Sequence, residues 1–147
     1  LQKNQIGGKA FALAPYVDWY YAYNYSPELG KKILADKAVV ICAGGTGNPY
    51  FTTDTAAALR ALELECDVLL KDTKVQGVYD KDPLKYKNAK FFSTISYDEI
   101  LKRELKIMDL TAVVLCKENR LPVRVFQGKR RNLLKAANGE KIGTLIY

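Results

Sequence analysis

The sequence contains no histidine, and that absence excludes more chemistry than any residue present suggests. Ser-His-Asp and Cys-His nucleophile systems and histidine-ligated zinc all require an imidazole, so those hydrolase and metal-site classes are ruled out. Cysteine is scarce as well. Cys42, Cys66 and Cys116 are odd in number, far apart and without a C-x-x-C, which supports neither a disulfide framework nor a four-thiolate metal centre. Each adjoins an apolar run, so all three are expected to be small core residues in a reducing, cytoplasmic compartment. With 5 Pro and 10 Gly the chain fits neither collagen nor low-complexity sequence. Its longest unbroken apolar run, residues 38–43, is far short of the roughly 18 residues expected of a transmembrane helix, and no membrane association is expected.

What is present is globular material: 147 residues, 48% hydrophobic and 27% charged. The formal net charge of +7 is unevenly placed, because residues 117–141 hold eight Lys/Arg against Glu118 and Glu140. Such a stretch could bind a polyanion. However, Lys129, Arg130 and Arg131 precede Leu133, Leu134, Ala136 and Ala137 at the spacing of a short amphipathic helix, which favours a solvated face over nucleic acid or a subunit contact. The aromatic cluster Phe11, Tyr16, Trp19, Tyr20, Tyr21, Tyr23 and Tyr25 reads as a packed or subunit-facing surface before a base-stacking platform.

Periodicity gives the organisation. Ser26 as N-cap and Pro27 at the first helical position start a helix with Leu29, Ile33 and Leu34 on one face. Residues 38–43 form a short, continuous, β-branched run, the pattern of a parallel strand covered on both faces. A loop with Gly44, Gly45 and Gly47 follows, then an Ala- and Leu-rich helix over 54–64 and a second apolar strand over 67–71. Ser96 and Glu99 make a capping box for a helix to about residue 105, and Asp109 caps another whose Leu110, Val113 and Val114 share a face. A strand at 123–127, a helix at 132–137 ended by Gly139 and a strand at 142–147 complete the chain. Alternating strands and helices predict an α/β fold, a mostly parallel sheet flanked by helices.

The loop over residues 44–54 lies between the carboxyl end of a strand and the amino end of a helix, where open α/β sheets place ligands. Glycines let the backbone approach closely, the first helical N–H groups lack intrahelical partners, and Thr46, Thr52 and Thr53 add hydroxyl donors. A phosphate suits such a loop. It is neither a P-loop, lacking G-K-[ST], nor a dinucleotide fingerprint, lacking the third glycine. Taken alone, a tight strand-to-helix turn with Thr53 as N-cap remains the bland alternative.

The run G-T-G-N-P-Y-F-T-T-D-T-A-A-A-L-R at 45–60 does not stand alone. It is followed by K-D-T-K-V-Q-G-V-Y at 71–79, Asp82-Pro83, L-K-I-M-D-L at 105–110 and L-P-V-R-V-F at 121–126. Together these resemble the bacterial uridylate (UMP) kinase branch of the amino acid kinase superfamily, in order and spacing across residues 38–146. The resemblance implies a three-layer amino acid kinase-like domain whose carboxyl-terminal portion is residues 1–147, with a UMP loop at 44–54 and an ATP loop at 71–83. It implies that Thr46, Gly47, Asn48, Pro49, Tyr50, Phe51, Thr52 and Thr53 bind UMP and that Thr73, Tyr79 and Asp82 bind ATP. Asp54 matches the acidic residue that orients the family's catalytic lysines, with a dipole-stabilised helix charge as its bland alternative. Lys71 is the candidate cation near the transferred phosphoryl group, weighed against an ordinary strand-end lysine. Asp109 falls in the L-K-x-M-D motif and is read mainly as a helix cap.

By the same resemblance the reaction is ATP plus UMP giving ADP plus UDP, with Mg²⁺ on the ATP phosphates. No general base is needed, because the attacking phosphate oxygen is already ionised. A homo-hexamer tuned by GTP and UTP is likewise implied. Gln76 replaces the family's usual Asp and Asp72 a usually small residue, two departures within the ATP loop. The Lys-x-Ser-Gly and Gly-Gly-Gly segments that complete the family's sites are not among these residues, so the chain alone is expected to be inactive. Two other functions stay open: a relative acting on a small carboxylate, and a non-catalytic nucleotide- or nucleic-acid-binding fragment.

Overall fold

Residues 9–15 and 22–147 are described by the computed structural model, and the chain divides into two units, Leu1–Cys66 and Asp67–Tyr147. In the first unit, β1 (Ala10–Ala14) is central: it pairs in parallel with β2 (Tyr23–Asn24) on one side and with β3 (Val39–Cys42) on the other. Leu13 of β1 is fully buried. Helix α1 (Pro27–Ala35) starts as expected, with Ser26 Oγ accepting from Leu29 N at 3.1 Å and Pro27 at its first position. Gly30 lets α1 pack closely, because a Cβ there would lie 2.5 Å from Leu64 Cδ2. The buried face of α1 is Gly30 and Ile33, and Leu34 is exposed, contrary to the expected apolar face.

Strand β3 departs further from expectation. Val39 and Ile41 are each 53% exposed rather than covered. Among the described residues β3 is an edge strand, paired only with β1, and alternate side chains on one of its faces meet solvent. A continuous apolar run signals two-sided burial only when layers exist on both sides. Cys42 at its end is exposed, as is Cys66, and only Cys116 is the buried core residue expected of all three. Helix α2 (Thr53–Glu63) buries Thr55, Ala56, Ala58, Arg60 and Ala61. Its N-cap is Thr52 rather than Thr53: Thr52 Oγ1 accepts from Asp54 N at 3.1 Å and from Thr55 N at 3.3 Å.

The second unit is built on a four-stranded sheet, β4 (Leu69–Thr73), β8 (Val123–Gln127), β9 (Thr144–Ile146) and β7 (Thr94–Ile95), in that order. β4 is parallel to β8 and β7 to β9, whereas β8 and β9 are antiparallel. A separate antiparallel pair joins β5 (Val78–Tyr79) to β6 (Phe91–Phe92). Val123, Val125, Phe126 and Ile146 are almost fully buried, and each such apolar side chain contributes roughly 1.5–3 kcal/mol of transfer free energy. Helix α3 (Tyr97–Lys102) has the expected Ser96 cap but ends before residue 105, because Glu104 turns left-handed at φ 52. Helix α4 (Leu110–Glu118) is capped by Asp109, whose Oδ1 accepts from Ala112 N at 3.0 Å. Its buried face is Ala112, Val113 and Cys116, while Leu110 and Val114 point outward, so the expected apolar face is displaced around the helix.

Helix α5 (Arg130–Ala137) begins two residues before the expected start and ends at the expected Ala137, with Gly139 left-handed at φ 77 just beyond its cap. Its Arg130, Arg131, Leu133 and Leu134 are exposed, with Ala136 as its buried contact. The basic stretch is partly neutralised: Lys117 pairs with Asp98 at 2.7 Å and Lys135 with Glu140 at 3.4 Å. No helix among the described residues is long and apolar enough to cross a membrane. The result is the expected α/β fold with mostly parallel strands and flanking helices, distributed over separate sheets. Tyr16, Trp19, Tyr20 and Tyr21 of the aromatic cluster lie outside the described residues; Phe11 and Tyr23 have ring centroids 6.2 Å apart.

Candidate functional site

In the first unit, Gly44, Gly45 and Gly47 adopt φ of 78, 66 and 80, a conformation open to glycine at little cost. Tyr50 is also left-handed, at φ 69, and its side chain is fully exposed. A β-carbon residue in that region is strained by roughly 1–2 kcal/mol, and such strain gathers at functional loops. Thr46 locks the loop tip: its Oγ1 accepts from Asn48 N at 3.0 Å and donates to Asn48 O at 3.2 Å. Pro49, Phe51 and Thr53 are exposed. Asp54 is half-buried in the first turn of α2, where the helix dipole stabilises its charge. The expected donors are therefore gathered on one loop, with Thr52 committed to the helix cap and Thr46 to the turn.

Behind the loop lies a cluster that the sequence did not single out. Arg60, 9% exposed, donates from Nη1 to Glu63 Oε2 at 2.6 Å and from Nη2 to Gly45 O at 3.1 Å. Its Cζ sits 3.9 Å from the Tyr25 ring centroid, and the Tyr25 hydroxyl donates to Glu63 Oε2 at 2.7 Å. Burial opposes the Arg60 charge, but the Glu63 hydrogen bond and charge outweigh it and hold the guanidinium above its ordinary pKa. Burial, reinforced by Glu63, likewise pushes the Tyr25 hydroxyl well above 10.0. The only available sequence signal was Arg60 closing the 45–60 run.

In the second unit, Thr73, Tyr79 and Asp82 line one cleft of about 580 Å³. Thr73 Oγ1 donates to Val75 O at 2.8 Å, which shapes the loop after β4. Tyr79 packs edge-on against Phe91, with centroids 5.4 Å apart. Asp82 Oδ1 accepts from Leu84 N at 2.9 Å, a turn-forming contact that leaves its other oxygen 4.0 Å from Lys85 Nζ. Lys71 is half-buried on β4, opposite Val125 of β8, and shares the strand face of Thr73 by the two-residue period. Asp72 is on the other face, against Gly128 in a smaller hollow of about 280 Å³, so this departure from the family pattern lies away from the cleft. Gln76 is exposed on the loop. Arg103, Leu105, Lys106 and Ile107 also line the cleft. Sequence reasoning missed them as site residues, although L-K-I-M-D was a quoted motif.

Among the described residues no group of three or more His, Cys, Asp or Glu could hold a metal ion. A Mg²⁺ bound through substrate phosphates and one or two carboxylates needs no such cage. Asp54 belongs to the first unit and Lys71 to the second.

Comparison with known proteins places the chain in a family. The chain is 51% identical over 124 residues to the uridylate kinase of Bacteroides thetaiotaomicron, covering 84% of this chain and 52% of that protein. It is 54% identical over 117 residues to the uridylate kinase of Parabacteroides distasonis, covering 79% and 50%. The structure is similar to that of UMP kinase from Bacillus anthracis, with a TM-score of 0.91, 28% identity and coverage of 97% of this chain and 59% of that one. For UMP kinase from Ureaplasma parvum the TM-score is 0.88 and the identity 34%, with coverage of 97% and 62%. The chain spans about half the length of the curated relatives it matches. The Amino acid kinase family pattern matches residues 16–127, and the chain belongs to that family.

Proposed function

We propose that this chain forms part of a uridylate kinase that transfers the terminal phosphoryl group of ATP to UMP, giving ADP and UDP, in the cytoplasm. The observation that carries the proposal is the loop over residues 44–54, three left-handed glycines between a parallel strand and a helix N-terminus, in a chain 51% identical to a uridylate kinase. Anion binding by backbone N–H groups at such a position needs no lysine.

In this function Thr46, Gly47, Asn48, Pro49, Tyr50, Phe51, Thr52 and Thr53 hold UMP, and Thr73, Tyr79 and Asp82 hold ATP in their cleft. Arg103, Leu105, Lys106 and Ile107 complete the cleft wall. Asp54 orients the cationic groups, and Lys71 offsets charge as the triphosphate of ATP and the single phosphate of UMP approach. The UMP phosphate oxygen is already ionised at neutral pH, so the residues position and neutralise rather than move a proton. Mg²⁺, when bound on the ATP phosphates, supplies further charge neutralisation. The whole enzyme is proposed to be a homo-hexamer responsive to GTP and UTP. Because its relatives are about twice as long, residues 1–147 alone are proposed to lack turnover. A complete set of positioned charges is what accelerates phosphoryl transfer.

The test is an ADP-release assay on the full-length protein with UMP, CMP and AMP as acceptors. Turnover of UMP far above the others supports the proposal. Comparable rates with AMP overturn it.

A further inference from the structure

Arg60 has the geometry of a phosphate ligand's reserve but not its freedom. Its Nη1 is taken by Glu63, its Nη2 by the Gly45 carbonyl at 3.1 Å with a longer contact to the Thr46 carbonyl at 3.5 Å, and its face by the Tyr25 ring. A second hydrogen bond, Tyr25 Oη to Glu63 Oε2, closes the cluster. A guanidinium so engaged is spent on the loop.

The consequence follows from peptide planarity. There are no cis peptide bonds among the described residues, so each carbonyl points opposite to the next residue's N–H. Drawing the Gly45 and Thr46 carbonyls toward Arg60 turns the Thr46 and Gly47 N–H groups the other way. Consecutive N–H groups on one side, with left-handed glycines alongside, make a concavity that favours an anion. Lysine cannot reproduce this arrangement, because it has no planar fork to bond two acceptors while stacking on a ring.

We propose that Arg60 is a positioning residue for the acceptor nucleotide: through the Gly45 and Thr46 carbonyls it holds the Thr46 and Gly47 N–H groups toward the acceptor's phosphate. Glu63 and Tyr25 brace it. The proposal rests on the UMP assignment above and deepens it.

The test compares Arg60→Lys and Glu63→Ala with wild type in the full-length protein, with Arg60→Ala as a third variant if it folds. Arg60→Lys is expected to raise the KM for UMP about tenfold or more while the KM for ATP and kcat at saturating UMP stay within about threefold. Glu63→Ala is expected to raise the KM for UMP as well. If Arg60 touched the phosphate directly, releasing it from Glu63 would leave that KM unchanged or lower it, which overturns the proposal. A loss confined to kcat with an unchanged KM for UMP also overturns it. Amide hydrogen exchange of the nucleotide-free protein separates this proposal from the UMP assignment. If the clamp is right, exchange over residues 44–53 rises about tenfold in Arg60→Lys and residues 71–83 are unaffected, whichever acceptor the enzyme uses. Unchanged exchange over 44–53 overturns the clamp.

Discussion

Thr144 and Val78 are joined across 66 residues of sequence: the fully buried Thr144 Oγ1 accepts from Val78 N at 2.9 Å and donates to Phe92 O at 2.5 Å. One hydroxyl thereby ties β5 to β9 and β6. Thr144→Val keeps the shape but leaves a buried N–H without its acceptor, a cost of about 1–3 kcal/mol. Thr144→Ser should retain most of the stability. Urea midpoints of the full-length variants check the order, and the KM for ATP should follow it.

Gly77 meets the same hydroxyl. A Cβ there would lie 2.5 Å from Thr144 Oγ1, 3.0 Å from Phe91 Cε2 and 3.1 Å from Thr144 N. The requirement is one of space rather than of backbone angle. Gly77→Ala is expected to destabilise by about 1–3 kcal/mol and to weaken ATP more than UMP, as separate nucleotide titrations would show.

Thr52 and Thr53 are adjacent and chemically identical, yet their substitutions should separate. Thr52 Oγ1 caps α2 through Asp54 N and Thr55 N, so Thr52→Ala should cost about 1 kcal/mol in denaturant unfolding. Thr53, exposed and one residue inside the helix, should leave stability within about 0.5 kcal/mol when changed to Val.

This pair also shows where sequence reasoning reaches and where it stops. That a helix begins close to Thr53 was legible from T-T-D and the following Ala-rich run; that Thr52 rather than Thr53 caps it depends on backbone angles that neither residue type fixes. Val123–Gln127 was legible to the residue, because Pro122 precedes it and its β-branched and aromatic residues Val123, Val125 and Phe126 are the buried ones, with Arg124 and Gln127 half-buried. Val39 and Ile41 were not, since exposure of an apolar strand depends on what packs against it. The glycine loop announced itself by composition. Arg60 did not, because an arginine that braces a loop and one that salts a helix surface look alike until Gly45 and Tyr25 are placed beside it.

Tyr97 gives a pH dependence with a definite sign. Its hydroxyl donates to Leu121 O at 2.6 Å, and burial, with Cys116 nearby, raises its pKa well above 10.0. A folded-state pKa above the unfolded value contributes stability that is fully present below pH 10 and lost as pH rises beyond it. Tyr97→Phe should therefore lower stability by about 1 kcal/mol at neutral pH yet flatten its decline on the alkaline side. Unfolding midpoints on either side of pH 10 would show whether the two curves converge.

The most direct test of the account is the pair of KM values of the full-length Thr53→Val variant. If the loop over residues 44–54 takes UMP and the cleft around Thr73, Tyr79 and Asp82 takes ATP, the KM for UMP should rise about tenfold and that for ATP should stay within about twofold, as loss of a hydroxyl hydrogen bond to a charged phosphate requires. An unchanged KM for UMP, or an equal rise in both, would contradict it.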